Sequence, residues 1–378
     1  MTPDLTHSQA ISRPLRMGGH GLKVAVKECI AIEGIPTRCG SPAFADAQPA
    51  AENAVVIDAV LSADCSIIGN ANMHELAFGI TGINSFLGTP LNHGWPDRIP
   101  GGSSSGSASA VASGLCDFAI GTDTGGSVRL PACCCGVFGL KPTFGRISRA
   151  GAIPADSSLD CIGPIADSAT MLVKAMECMD PTFRREASDG PFRLRGLAAD
   201  CTPEVAEAFS GAVSRFVLST VALEHFHHAY TAGLVVINAE SATAFGDLAA
   251  TNEAMDSAVR TRILAAVAGF SQQELNQADG VRRSFSSEVD QALEGYDALV
   301  LPTMPVVPPT LEDAQDMRAL IPLTALVRPF NLSGHPAVTI PIKTAGGLPA
   351  GIQLIGRKND DARICAAAEW LVRQMTDK

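Results

Sequence analysis

Short apolar runs alternate along the chain with segments whose apolar residues recur at helical spacing, a pattern typical of layered α/β folds. The runs predict strands at Leu22–Val26, Ser66–Gly69, Phe118–Gly121, Asp297–Leu301, Ala337–Ile340 and Ile352–Ile355. Helical spacing predicts helices at Glu52–Leu61, Ser104–Ser113, Pro203–Leu218, Ser257–Ala268, Gln272–Leu293 and Asp361–Met375. We therefore expect an α/β fold in which helices pack on a central β-sheet.

The distribution of these patterns predicts a single domain over residues 1–378. Its core is expected at residues 20–180 and 295–378, where the strands and the glycine-rich motifs lie. Residues 181–294 are the most helical and the poorest in such motifs, so we expect them to form a variable peripheral layer. No repeat of solenoid period interrupts this organisation.

Composition and charge narrow the class of protein. The chain is 46% hydrophobic and 18% charged, as in a compact globular protein, and its net charge of −11 argues against nucleic-acid binding. The N-terminal segment has no apolar stretch of signal-peptide length, and no run reaches the roughly 18 apolar residues of a membrane span. We expect a cytoplasmic protein that binds neither membranes nor nucleic acids.

The eleven cysteines predict free thiols. An odd count without CxxC pairs fits neither a disulfide framework nor a zinc module. The cluster Cys133–Cys135 places neighbouring thiols in different directions, which makes a poor tetrahedral metal site. We expect buried packing roles and no bound metal.

The sequence Gly-Gly-Ser occurs at residues 101–103 and again at 125–127. This stretch is unlike a flexible linker, because the first turn is followed by Ala110-Val111-Ala112 and then by an apolar strand. A Walker loop needs a Gly-Lys pair, which the chain lacks, and no GxGxxG opens a helix here. The formal GxSxG match at residues 102–106 follows Pro96 and Pro100 instead of a strand, so we reject a nucleophile elbow.

Acyl transfer remains, because a strand, a glycine turn and a helix start expose backbone N–H groups that stabilise a developing oxyanion. A serine nucleophile needs a base. His225, His227 and His228 lie outside the glycine-rich core, and neither His74 nor His93 is followed by an orienting carboxylate motif. Lys27 ends an apolar strand, where it either reaches solvent or is buried and neutral. The residues alone leave both possibilities open.

The stretch GGSSSGSASAVASGLCDFAIGTDTGGSVRLPACCCGVFGLKPTFGRIS resembles the signature of the amidase signature hydrolases, and similar segments flank it over about two thirds of the chain. The resemblance implies a central, mixed, twisted β-sheet covered by α-helices on both faces. It also implies a catalytic triad of Ser127 as nucleophile, Ser103 as bridging serine after a cis peptide bond, and Lys27 as base.

Further roles follow from the same resemblance. The backbone N–H groups expected to form the oxyanion hole belong to Thr124, Gly125, Gly126 and Ser127. Asp123 and Arg129 would brace the loop behind them, and Met73 would line the substrate pocket. No cofactor is implied.

The implied reaction is hydrolysis of a small-molecule carboxylic amide to an acid and ammonia or an amine. The phrases INSFLGTPLN and DRIPGGSSSGS resemble the indole-3-acetamide hydrolases, which favours an arylacetamide. The alternatives are a carbamate- or urea-type hydrolase and the glutaminase subunit of a tRNA-dependent amidotransferase, against which the short chain argues. A non-catalytic member is disfavoured by the intact triad, and the expected oligomer, if any, is a homodimer.

Overall fold

The structure is a computed structural model that describes residues 8–316 and 320–376. In this part of the chain one 11-stranded sheet forms the centre of the molecule. Its strands are β1 (Ile11–Gly18), β2 (Lys23–Lys27), β3 (Ser66–Ala71), β4 (Phe118–Asp123), β5 (Phe138–Lys141), β6 (Cys161–Ala166), β7 (Leu194–Leu197), β8 (Thr220–Val221), β9 (Ala298–Pro302), β10 (Ala337–Lys343) and β11 (Pro349–Ile355).

Helices connect and cover these strands. They are α1 (Val55–Ser62), α2 (Ser105–Ala112), α3 (Arg129–Cys135), α4 (Ala169–Met179), α5 (Pro203–Val213), α6 (Phe226–Thr251), α7 (Ser257–Val267), α8 (Gln272–Ala292), α9 (Arg328–Leu332) and α10 (Asp361–Thr376). No helix of the described residues is long and apolar enough to cross a membrane.

The sheet is mixed, with the strand order β1-β3-β2-β4-β6-β5-β10-β11-β9-β7-β8. β2 runs parallel to both β3 and β4, whereas β4, β6, β5, β10, β11 and β9 pair antiparallel in turn. Side chains of β2 alternate between the faces. Val24 and Val26 pack in the cluster that includes α1 and α4, while Ala25 packs in the cluster of α2 and α3. Helices therefore cover both faces, as expected.

All six predicted strands and all six predicted helices are present, with small shifts at their ends. The largest shift is in α5, which ends at Val213 and not at Leu218, because the chain turns there into the short strand β8. The prediction missed other elements, among them β1, β5, β6 and α6. α6 was not predicted because small and polar residues interrupt the helical spacing of its apolar residues. β6 was not predicted because it contains Gly163 and Pro164, which usually disfavour a strand.

The segment between residues 181 and 294 is less purely helical than predicted. Besides α5–α8 it supplies β7 and β8, and β7 pairs in parallel with β9 at the end of the central sheet. β7 and β8 have only four and two residues, too short to give a periodic signal. The division into a core and a variable region remains a prediction.

Candidate active site

Lys27 is the last residue of β2, and its side chain is completely buried. Strand alternation places it on the same face as Ala25, the face covered by α2 and α3. Its Nζ donates to Ser103 Oγ at 2.7 Å and to Thr122 Oγ1 at 2.7 Å. The side chain therefore reaches into the protein and not toward solvent, which decides between the two possibilities that the sequence left open.

The environment of Lys27 favours its neutral form. Burial lowers the pKa of Lys27, and the nearby Cys29 and Asp160 oppose that shift only in part. Among residues 8–316 and 320–376, no carboxylate oxygen lies within ion-pair distance of its Nζ. A buried lysine without a carboxylate partner gives up its proton more readily than one in water.

Ser103 lies in the first Gly-Gly-Ser turn, just before α2. The Gly102–Ser103 peptide bond is cis. The Ser103 carbonyl accepts a hydrogen bond from the backbone N–H of His74 at 3.0 Å. Gly102 is required by space, because a Cβ atom there would lie 2.9 Å from the backbone nitrogen of Gly82. The turn is thus held tightly between its neighbours.

Ser127 lies in the second turn, between β4 and α3, and is buried. Its carbonyl accepts a hydrogen bond from the backbone N–H of Ser104 at 3.2 Å, so the two serine turns are bonded to each other. Gly126 has a φ of +115°, and a Cβ atom there would lie 2.3 Å from Val327 Cγ2. Both facts demand glycine immediately before Ser127.

The backbone N–H groups around Ser127 are not all equivalent. That of Gly126 donates to Asp123 Oδ1 at 2.8 Å. Those of Thr124, Gly125 and Ser127 have no acceptor among the described residues. This turn therefore leaves three donors available, one fewer than the resemblance implies for the hole.

Asp123 and Arg129 form an ion pair that is completely buried, with Arg129 Nη2 at 2.9 Å from Asp123 Oδ1. Asp123 Oδ2 also accepts from the backbone N–H of Val128 at 3.1 Å. Burial alone would raise the pKa of Asp123, but the charge and hydrogen bonds of Arg129 hold it well below its usual range. The carboxylate therefore ties the glycine turn to the first residues of α3.

Arg129 connects this turn to distant parts of the chain. Its Nη1 donates to Gln353 Oε1 at 2.7 Å and to the Val327 carbonyl at 2.9 Å, and its Nη2 donates to Asn331 Oδ1 at 2.6 Å. Sequence reasoning missed Gln353, Asn331 and Thr122, which accepts a hydrogen bond from Lys27. Only Thr122 had a signal, since it lies in the strand that leads into the second Gly-Gly-Ser turn.

A cavity of about 640 Å³ is lined by neighbours of the two turns, although no residue of either turn is among its lining residues. His74 and Gly79 line it near Ser103, and Arg328 lines it near Gly125. Met73 is not among its lining residues, because its side chain is fully buried in the core. A larger cavity of about 890 Å³, lined by residues of α6 and α8, includes no residue of the two serine turns.

Two of the histidines considered in the sequence, His225 and His74, have other contacts in the structure. Within the described ranges the one group of side chains with metal-ligand spacing is Glu224, His225 and Glu288, which lies at the surface, and His225 is hydrogen-bonded to Glu288. Burial lowers the pKa of His74 to about 4, so its ring is neutral at pH 7. It contacts Thr81 Oγ1 at 3.4 Å.

Comparison with known proteins places this geometry in a family. A family model described as Amidase matches residues 13–208 and 193–365. A glutamyl-tRNA(Gln) amidotransferase subunit of Halobacterium salinarum is 34% identical over 403 aligned positions, which cover 92% of this chain and 94% of that protein.

Solved structures agree. A crystal structure of an amidase has a TM-score of 0.84 and 31% identity, with 94% of this chain and 85% of that chain covered. The corresponding glutamyl-tRNA(Gln) amidotransferase subunit of Thermotoga maritima has a TM-score of 0.82 and 29% identity, covering 97% and 87%. The fold and the family are those of hydrolases that cleave the C–N bonds of amides. The chain belongs to the amidase family, in its amidase signature group.

Proposed function

We propose that the chain hydrolyses a small carboxamide through an acyl-enzyme on Ser127, with Ser103 as proton relay and Lys27 as base. The observation that carries this proposal is the 2.7 Å contact between Lys27 Nζ and Ser103 Oγ, made by a buried lysine without a carboxylate partner. The hydrogen bond from Ser104 N–H to the Ser127 carbonyl supports it, because it holds the second serine beside the first.

In the first half-reaction neutral Lys27 accepts the hydroxyl proton of Ser103, while Ser103 Oγ accepts that of Ser127. Ser127 Oγ then bonds to the amide carbon. The carbonyl oxygen becomes an oxyanion, which the free N–H groups of Thr124, Gly125 and Ser127 would stabilise. One such donor is commonly worth about 3 kcal/mol of the barrier.

The tetrahedral intermediate then collapses. The Lys27 ammonium returns its proton through Ser103 to the leaving nitrogen, the C–N bond breaks, and ammonia or an amine departs. Water attacks the Ser127 ester with the same relay acting as base, and its proton returns to Ser127 Oγ as the acid is released. These steps use only side chains, backbone donors and water.

The comparisons support glutamine as substrate more than an arylacetamide, because the relative of highest identity reported above, at 34%, carries the name of an amidotransferase subunit. The short chain does not argue against glutamine, since the alignment covers 94% of the Halobacterium protein. This second candidate function implies partner subunits, which the relative's name states for that protein. An arylacetamide, a carbamate and a urea remain the alternatives to be tested beside it.

Two measurements test the proposal. Ammonia release is assayed with glutamine, simple monoamides, carbamates and ureas, and a fluorophosphonate label is mapped by mass spectrometry. We expect labelling at Ser127 and loss of both labelling and turnover in Ser127→Ala. Ser105→Ala is the matched control, because the buried Ser105 hydroxyl lies in the same segment and has no hydrogen-bond partner among the described residues. Turnover by Ser127→Ala at the wild-type rate would refute the mechanism.

A further inference from the structure

Arg328 is a buried arginine that the proposed mechanism does not use. It begins α9 and lines the 640 Å³ cavity beside the serine turns. Only 8% of the residue is exposed. A guanidinium is always protonated in proteins, so this is a permanent positive charge inside the cavity wall.

The guanidinium of Arg328 is only partly satisfied. Its Nη2 donates to Thr324 Oγ1 at 2.7 Å, and the ring of Tyr230 lies 4.4 Å from its central carbon. Burial lowers the pKa of Arg328, and a side-chain hydrogen bond with Tyr230 opposes that shift. Nε and Nη1 have no hydrogen-bond partner in the described part of the chain, and no described carboxylate forms an ion pair with them. Buried arginines are normally paired, as Arg129 is, with hydrogen bonds at all three of its nitrogens.

The free donors lie close to the proposed reaction centre. A Cβ atom on Gly125 would lie 3.6 Å from Arg328 Nε. Gly125 supplies one of the N–H groups proposed to bind the oxyanion. The stem of Arg328 passes α6 at Gly233, where a Cβ atom would lie 3.0 Å from Arg328 Cγ. The arginine is therefore held against the turn whose N–H groups are proposed to bind the oxyanion.

We propose that Arg328 binds a carboxylate of the substrate, so that the enzyme acts on carboxamides that carry a carboxylate a few atoms from the scissile carbonyl. Monoamides of short dicarboxylic acids are the simplest members of this class, and glutamine also contains the required groups. A carboxylate would occupy the free donors of Arg328 with charge-assisted hydrogen bonds. The inference rests on the proposed function, since it places this group relative to Ser127 and its turn.

Besides Arg328 the cavity contains a second arginine and two carboxylates, Glu75 and Asp256, which already accept hydrogen bonds from other groups. Arg262 also lines it and donates to the Phe78 carbonyl at 3.1 Å. Burial lowers the pKa of Arg262, and repulsion by the positive charge of Arg328 lowers it further. A bound carboxylate would offset that repulsion.

The test compares glutaramate with glutaramide, which differ in one terminal group, a carboxylate in the first and a neutral carboxamide in the second. In the wild type we expect kcat/KM for glutaramate to exceed that for glutaramide by about 30-fold or more. Arg328→Gln should reduce this ratio by about tenfold or more, and Arg328→Lys should retain part of it because the charge remains. Arg282→Gln, which removes an arginine lining the other cavity, is the matched control and should keep the wild-type ratio.

A second readout does not depend on turnover. Glutarate, the expected product, should raise the melting temperature of the wild type but not that of Arg328→Gln, with succinate and adipate as probes of spacer length. A wild-type ratio near one, an unchanged ratio in Arg328→Gln, or no stabilisation by any of the three dicarboxylates would overturn the inference. The inference would also be overturned if Arg262→Gln, but not Arg328→Gln, lost the preference for glutaramate over glutaramide. If Ser127 is still labelled in those cases, the inference fails while the proposed function stands. If Ser127 is not labelled, the proposed function itself fails.

Discussion

Lys27 Nζ lies 2.7 Å from Ser103 Oγ, although the two residues are 76 positions apart in the chain. The contact forms because β2 and the first serine turn meet on the face of the sheet that α2 covers. A short hydrogen bond between a buried amine and a hydroxyl is the geometry that proton relay requires. Four predictions follow from this contact and its surroundings.

Replacement of Lys27 should remove the base without removing the fold. We expect Lys27→Ala to lower kcat/KM by about 1,000-fold, the range typical of a lost general base. Lys141→Met is the matched control, since Lys141 is equally buried but donates to the Pro142 carbonyl at 3.0 Å. Steady-state ammonia release measures both variants. If kcat/KM fell equally in the two variants, the effect of Lys27→Ala would reflect the loss of a buried lysine and not the loss of a base.

The lowered pKa of Lys27 has two consequences for pH dependence. Activity should rise with pH as Lys27 loses its proton, and the pH profile of Lys27→Ala should lack this rise. Stability should follow the same group, because between the lowered folded value and the unfolded value of about 10.4 the unfolded chain binds a proton that the folded chain does not. The wild type should therefore gain melting temperature relative to Lys27→Met as pH rises through this window. A constant difference between the two melting curves would contradict the shift.

Asp123→Asn should destabilise the protein and misplace the glycine turn, because it leaves the buried charge of Arg129 without its partner. We expect a loss of about 3–5 kcal/mol in the free energy of unfolding at pH 7. Since the folded pKa of Asp123 is lowered, its contribution is present above the unfolded pKa of about 3.9 and is lost as pH falls below it. The gap between wild type and variant should therefore narrow in acid.

Chemical denaturation at several pH values measures this effect. Asp279→Asn serves as control, because Asp279 is half exposed and pairs with Arg282 at 3.7 Å on one helix face. Such exposed pairs contribute little to stability. If Asp123→Asn is no less stable than Asp279→Asn, the buried pair does not hold the turn.

Glutaramate should be hydrolysed better than glutamine, from which it differs by lacking the α-ammonium group. The two carboxylates that line the cavity already have partners: Glu75 accepts from Ser41 Oγ and from Asp256 N–H, and Asp256 accepts from the first N–H groups of α7. An ammonium group would enter a cavity with two arginines and no free acid among its described lining residues. We expect kcat/KM to favour glutaramate by about tenfold. A preference for glutamine would show that a partner protein or another group supplies the missing acceptor.

Much of the fold could be predicted because local patterns carry it. Every predicted strand and helix is present, since each is long enough to show period two or a helical face. β7 and β8 are too short, and α6 too interrupted by small residues, to show either pattern. Their places come from pairing with β9 and from packing against the sheet.

By itself the sequence determined the chemistry available to the protein. Two Gly-Gly-Ser turns and a lysine at the end of an apolar strand point to acyl transfer, because glycine turns suit an oxyanion and hydroxyls suit a proton relay. The burial of Lys27 was not determined by the sequence. The tertiary structure decided which groups meet. Gln353 and Asn331, more than 200 positions from Arg129 in the chain, accept hydrogen bonds from its guanidinium. The backbone N–H of Gly126 donates to Asp123. Arg328 interrupts an apolar run much as Lys27 ends one, but its free donors exist only because folding buries it beside Gly125 without a partner. Burial and pairing depend on contacts distant in the chain, and no local pattern records them.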